Sequence, residues 1–179
     1  MGTISPVHEI PASCWSPDDA RFGRLIAFAT DVLAVCAAAD DPLDPVLDGG
    51  LALQVHLGGA PFPVHDVDFG CPEADFAPLE RGLRAAGIFC EVQPWHVLQA
   101  RRDGLKVEFG AAEVWNRGLD GPYERVRIGG YVVRMMDRAG LREQYRRGVV
   151  ATADAPGDPQ PEKHARIVAK LAALDAPTR

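Results

Sequence analysis

The sequence lacks the motifs of several large enzyme classes. It contains no Gly-x-x-x-x-Gly-Lys-[Ser/Thr], no His-Glu-x-x-His and no Gly-x-Ser-x-Gly segment, so P-loop, zincin and α/β-hydrolase chemistry lose support. Only four cysteines occur, and no two of them form a Cys-x-x-Cys pair. That scatter disfavours a structural zinc site or a redox motif and favours buried thiols over disulfides.

Basic residues and long apolar runs are also scarce. The 19 lysines and arginines are outnumbered by 25 acidic residues, which leaves a formal net charge of −6. Broad binding of nucleic acid needs a basic face, so we expect none. The most apolar stretch, residues 25–39, is interrupted by Asp31 and is too short to span a bilayer. No secretory signal is visible at the start, and we therefore expect a soluble, cytoplasmic protein without membrane contact.

What the chain does contain is enough apolar sequence for one compact domain. It has 179 residues, of which 47% are hydrophobic, and no repeat or low-complexity segment. Residues 1–17 lack periodicity and predict an irregular N-terminal arm, apart from helix-start signals at residues 16–19. Residues 18–175 are predicted to form a single domain. The oligomeric state stays open.

Hydrophobic periodicity predicts alternating helices and strands along this domain. The order is helix, strand, helix, strand, helix, several strands and two helices. We therefore predict an α+β fold, with a small mixed sheet flanked by helices. The predicted helices cover residues 16–39, 51–57, 74–86, 141–147 and 161 onward, and the predicted strands cover residues 46–47, 66–69, 88–92, 97–100, 105–109, 123–128 and 131–135.

Three acidic residues carry most of the chemical information. Asp66 and Asp68 stand two residues apart in a predicted strand, so both point to one face while Val67 points to the other. Glu108 occupies an alternating strand and has the residue type and phase to join them. Two crowded carboxylates repel each other unless a cation lies between them, and carboxylates are the ligands that magnesium prefers. The three residues therefore predict a site for one or two magnesium ions.

A glycine pair precedes these acids. Gly49 and Gly50 follow a short predicted strand and precede a predicted helix. Backbone amides there can approach phosphate oxygens, and the helix dipole adds attraction. Alone, such a pair is usually a turn, but its position before an acid-x-acid strand favours a phosphate-binding role.

The glycine pair, the acid-x-acid strand and the later acid resemble the signature of the nucleotidyltransferase superfamily related to the palm of polymerase beta. The segment from residue 47 to residue 54 is most similar to small adenylyltransferases that modify lincosamide and aminoglycoside antibiotics, and to related toxin-type enzymes. The resemblance implies a nucleotidyltransferase fold over roughly residues 18–175. It also implies transfer of a nucleoside monophosphate, from ATP or another nucleoside triphosphate, to a hydroxyl of a small-molecule acceptor.

The resemblance also implies roles for single residues. Asp66, Asp68 and Glu108 would be catalytic and would bind Mg2+, whereas Gly49 and Gly50 would contact the triphosphate. Lys163 resembles a late basic residue that reaches the phosphates, although an exposed helix lysine is an equal interpretation.

Other positions leave alternatives open. Phe62 stands where many relatives have a basic residue. A binding or regulatory module without transfer activity is therefore an alternative to the enzyme, and a toxin-type enzyme is a further alternative. For Trp95 and Trp115 we favour core packing over a role in lining a ligand pocket.

Overall fold

A mixed β-sheet forms the centre of the protein. The computed structural model describes residues 6–11, 19–59, 62–153 and 161–176. Across the sheet the strand order is β1-β7-β8-β2-β3-β6-β5-β4. Within the described residues its strands are β1 (Val7–Glu9), β2 (Val46–Asp48), β3 (Val67–Cys71), β4 (Phe89–Gln93), β5 (Val97–Arg102), β6 (Leu105–Ala111), β7 (Tyr123–Ile128) and β8 (Tyr131–Met136).

Helices cover both faces of this sheet, and a 3-10 turn, Glu73–Asp75, precedes one of them. None of the described helices has the length and apolar character needed to cross a membrane. The helices are α1 (Asp19–Ala38), α2 (Gly49–Leu57), α3 (Phe76–Ala85), α4 (Ala112–Trp115), α5 (Arg138–Ala153) and α6 (Pro161–Asp175).

The apolar face of the central strands forms the core. β3 and β6 are parallel, and Phe69 lies opposite Phe109, with ring centroids 5.3 Å apart. Residues of β6 alternate strictly between buried and half-buried, as expected when one face packs on the core. Helix α1 packs on this face. Arg102 pairs with the buried Leu105 and so lies on the same face of the sheet, and its guanidinium lies over the Phe28 ring of α1.

The opposite face carries the polar side chains. Helices α2, α5 and α6 contact one another, and side chains from α5 and α6 surround a cavity over the acidic residues of β3 and β6. The face that the sequence predicts for chemistry is therefore partly enclosed by helices.

The predicted α+β fold and most of the predicted elements are confirmed. Helix α5 is longer than predicted, since it spans Arg138–Ala153 and not 141–147, and four further differences are found. The arm predicted as irregular contains β1, which pairs in parallel with β7. Helix α2 begins at Gly49 rather than after the glycine pair. Strand β3 begins at Val67, so Asp66 precedes it. The short helix α4 was not predicted.

Some of the predicted features lie outside the described residues. Residues 16–18 and 154–160, where we predicted a helix cap and a loop, lie outside the described residues. The single-domain assignment stays a prediction. Cys36, Cys71 and Cys90 are free and buried, as expected, whereas Cys14 is outside the described residues.

Candidate active site

A row of acidic side chains crosses the polar face of the sheet. The register pairs Asp48 with Asp68 and Asp68 with Glu108. Because paired residues point to the same side of a sheet, the three side chains share one face. Asp66 lies just before β3 on the same side, and one ligand atom each from Asp66, Asp68 and Glu108 lie within 4.8 Å of one another. The predicted carboxylate group therefore converges in the folded chain.

Asp68 is the most perturbed member of this group. Burial raises its pKa well above the usual value, and the negative charges of Asp66, Asp48 and Glu108 raise it further. Carboxylates crowded in this way disfavour their ionised forms. A bound cation would relieve that repulsion, which is what a metal site offers to its ligands.

The glycine pair at the start of α2 touches the carboxylate group directly. Gly49 has φ +63°, and a Cβ at this position would lie 2.2 Å from Asp68 Oδ2. A side chain would thus both strain the backbone and displace the carboxylate. Gly50 has open space where its Cβ would be. Of the two, Gly49 is the one whose lack of a side chain the site requires.

A lysine lies within the carboxylate group. Lys106 Nζ is 2.9 Å from Asp66 Oδ2 and 3.0 Å from Glu108 Oε1. Burial by itself lowers the pKa of Lys106, but hydrogen bonds and charge interactions with both carboxylates outweigh burial and raise it. The side chain therefore stays an ammonium. The only signal for Lys106 in the sequence was the alternation along its predicted strand, which places it on the same face as Glu108.

A second residue that sequence reasoning missed is Asp48. Its side chain is only 6% exposed; Oδ2 accepts hydrogen bonds from Asn116 Nδ2 at 2.9 Å and Gln144 Nε2 at 3.3 Å. Burial raises its pKa to about 6, although both amides act in the other direction. Gly70 makes room for this arrangement, since a Cβ there would lie 2.3 Å from Asn116 Nδ2. Position alone, directly before the glycine pair, hinted at Asp48.

A cavity of about 370 Å³ lies beside the carboxylates. Trp95 and Trp115 border it with 51% and 47% of their surface exposed, so the prediction that they pack in the core is wrong. The reason is local: α4 carries Trp115 past the end of β6, and its Nε1 donates to the Trp95 carbonyl at 3.1 Å. The other lining residues are Asp48, Gly49, Asp68, Phe69, Val97, Glu108, Gly110, Gln144, Tyr145 and Lys163.

Tyr145 and Lys163 bring the helices into this cavity. Tyr145 is only 9% exposed, yet its hydroxyl has no hydrogen-bond partner among the described residues. A buried hydroxyl without a partner is costly in a folded protein and is typical of a place where a ligand or water binds. Lys163 lies in the first turn of α6, exposed and facing the cavity that Gly49 also borders.

Phe62, the departure noted in the sequence, has a packing role. The ring is half-buried against the core, and the backbone carbonyl accepts a hydrogen bond from Gln54 Nε2. It contributes no charge to the site.

The residues present fit a divalent cation. Three carboxylates supply hard oxygen ligands, Lys106 already stands between two of them as a cation, and Gly49 leaves the space that Asp68 fills. Asp66, Asp68 and Glu108 would hold the ion.

No protein-family model matches the chain, and no curated protein sequence matches it significantly. Solved structures do. The antibiotic-resistance factor ANT(2'')-Ia in solution has a TM-score of 0.56 at 17% identity, over 85% of this chain and 89% of that chain. Its crystal structure in complex with adenylyl-2''-tobramycin has a TM-score of 0.55 at 18% identity, over 83% and 86% of the two chains.

A third structure, a candidate nucleotidyltransferase from Thermotoga maritima, has a TM-score of 0.52 at 18% identity, over 75% of this chain and 89% of that one. The chain therefore has the nucleotidyltransferase fold, as its motifs predicted.

Proposed function

We propose that the protein is an enzyme that transfers a nucleoside monophosphate from a nucleoside triphosphate to a hydroxyl of a small molecule, with Mg2+ as cofactor. The observation that carries this proposal is the convergence of Asp66, Asp68 and Glu108 within 4.8 Å on a nucleotidyltransferase fold. The neighbour crystallised with adenylyl-2''-tobramycin supports a small-molecule acceptor.

The carboxylates divide the chemical work. Asp66, Asp68 and Glu108 would hold the metal, which when bound would neutralise charge on the phosphate oxygens and ease ionisation of the acceptor hydroxyl. The acceptor oxygen attacks the α-phosphorus, the bond from that phosphorus to the bridging oxygen breaks, and pyrophosphate leaves. Glu108 takes the proton of the acceptor hydroxyl. Positioning and charge stabilisation then account for most of the rate gain.

The cavity beside the carboxylates suits the nucleotide. Gly49 and Lys163 border it together, so the triphosphate would contact Lys163 and the amides at the start of α2, with Gly50 adding the next amide. Trp95 and Trp115 offer aromatic surface to a base in the same cavity. ATP or another nucleoside triphosphate would thus bind with phosphates toward the carboxylates.

A module with the same fold but without transfer activity is the second candidate, because Phe62 supplies no charge to the phosphates. The net charge of −6 weighs against a toxin-type enzyme acting on RNA. Calorimetry with ATP and Mg2+ separates the enzyme from the module, since a protein that binds neither ATP nor Mg2+ would favour the module.

Asp66→Asn tests the enzyme directly. The substitution keeps the size of the side chain but removes a metal ligand, so pyrophosphate release across a panel of hydroxyl-bearing small molecules should vanish while circular dichroism stays unchanged. The matched control is Asp103→Asn, at an exposed turn position with φ +50° that asparagine tolerates. Undiminished turnover in Asp66→Asn would refute the assignment.

A further inference from the structure

Lys106 occupies the place in the carboxylate group where a bridging cation would lie. Its Nζ contacts Asp66 Oδ2 at 2.9 Å and Glu108 Oε1 at 3.0 Å. The side chain is two-thirds buried. An exposed surface lysine samples many rotamers, whereas this one is held by two charge-assisted hydrogen bonds.

The charges of the group set how many further cations it accommodates. Asp66, Asp68 and Glu108 carry three negative charges when ionised, and Asp48, which pairs with Asp68, adds a fourth. The ammonium of Lys106 balances one of these charges, and a single divalent ion brings the remaining charge close to zero. A second divalent ion would leave an excess of positive charge in a partly buried site, which is unfavourable at short range.

We propose that Lys106 is a built-in monovalent cation of the site, so that the three carboxylates bind one divalent ion and not two in the absence of nucleotide. The inference rests on the proposed function only in taking these carboxylates as cation ligands. Tyr145 gives an independent observation. It is nine-tenths buried, its hydroxyl has no hydrogen-bond partner among the described residues, and it borders the cavity that Asp68 and Glu108 also line, as expected where a ligand or water binds.

The surroundings of Lys106 let it remain in place or withdraw. Asp66 and Lys106 border a second cavity, of about 590 Å³, which shares no lining residue with the cavity beside Asp68 and Glu108. An entering divalent ion competes with the ammonium for Asp66 and Glu108. The lysine should therefore lower the affinity of the site for the ion as well as limit the number bound.

Titration of the nucleotide-free protein with Mn2+, followed by electron paramagnetic resonance, measures both quantities. The wild type should bind one ion. Lys106→Met should bind it roughly tenfold more tightly, or bind two, because a nearby positive charge is gone. Lys106→Arg should resemble the wild type, which separates the charge from the packing of the side chain. Circular dichroism checks that each variant is folded.

Arg101→Met is the matched control. Arg101 pairs with Lys106 across β5 and β6 and borders the same second cavity, but it contacts Glu91 and Gln99 rather than the three carboxylates. Its loss should change the Mn2+ affinity by less than about threefold.

The outcomes distinguish the inference from the proposed function. Two ions in the wild type, or equal affinity and number in the wild type and Lys106→Met, would overturn the role of Lys106 and leave the carboxylate site standing. An absence of binding in both would overturn this inference and remove the basis of the proposed function. Asp68→Asn should abolish Mn2+ binding, so that the signal of the free ion stays at full intensity, if the ion lies among these carboxylates.

Discussion

Replacement of Asp48 by asparagine should change how the stability of the protein depends on pH. Asp48 is a carboxylate at the end of β2, only 6% exposed, with two amide donors on one oxygen. Asparagine has nearly the same shape, and its carbonyl oxygen can accept from Asn116 and Gln144. The substitution therefore removes the charge and leaves the packing largely intact.

The size of this change in stability follows from the shift in the pKa of Asp48. Burial raises the pKa of Asp48 from 3.8 to about 6, so between these pH values the folded state holds a proton that the unfolded chain has released. The free energy of unfolding then falls as pH rises through this window. A pKa shift of one unit corresponds to about 1.4 kcal/mol. Because the unfolded carboxyl is already more than half ionised at pH 4, the wild type should lose about 2 kcal/mol between pH 4 and pH 7 through this one group, and Asp48→Asn should not.

Urea unfolding followed by circular dichroism, from pH 4 to pH 8 with a chelator present, measures the effect. The charge of Asp48 raises the pKa of Asp68, so the difference between the two curves measures Asp48 together with its effect on Asp68. Asp120→Asn, at an exposed position, serves as the control and should follow the wild type. A difference between Asp48→Asn and the wild type that stays constant over this pH range would refute the reasoning.

Three further substitutions test the cavity. Gly49→Ala should cost about 2 kcal/mol of stability and abolish Mn2+ binding by displacing Asp68. Gly50→Ala should do neither, and equal effects of the two substitutions would contradict a steric clash between a side chain at position 49 and Asp68. Lys163→Met should raise the KM for the triphosphate roughly tenfold, with recovery in Lys163→Arg; an unchanged KM would make this lysine a solvated surface residue. Trp115→Ala should weaken nucleotide binding roughly tenfold in calorimetry and Trp115→Phe much less; equal affinities would exclude stacking.

The fold class and the carboxylate group could be predicted from the order of the residues alone. Periods of two and three to four residues set which side chains are buried, and this information is local to each element. The spacing of Asp66 and Asp68, together with the alternation of the strand that contains Glu108, predicts that the three acids share one face of the sheet. The sequence also placed the glycine pair where a strand meets a helix, although α2 begins at Gly49 itself and not after the pair.

The surroundings of those acids, in contrast, depend on how distant parts of the chain pack together. Lys106 bridges Asp66 and Glu108 because β3 and β6 pair in one particular register, and strand pairing cannot be read from the strands alone. Asp48 becomes buried because Asn116 and Gln144, 68 and 96 residues away, converge on it. The exposure of Trp115 depends on the unpredicted α4. Contacts between residues distant in sequence, and the burial that perturbs a pKa, exist only once the chain has folded.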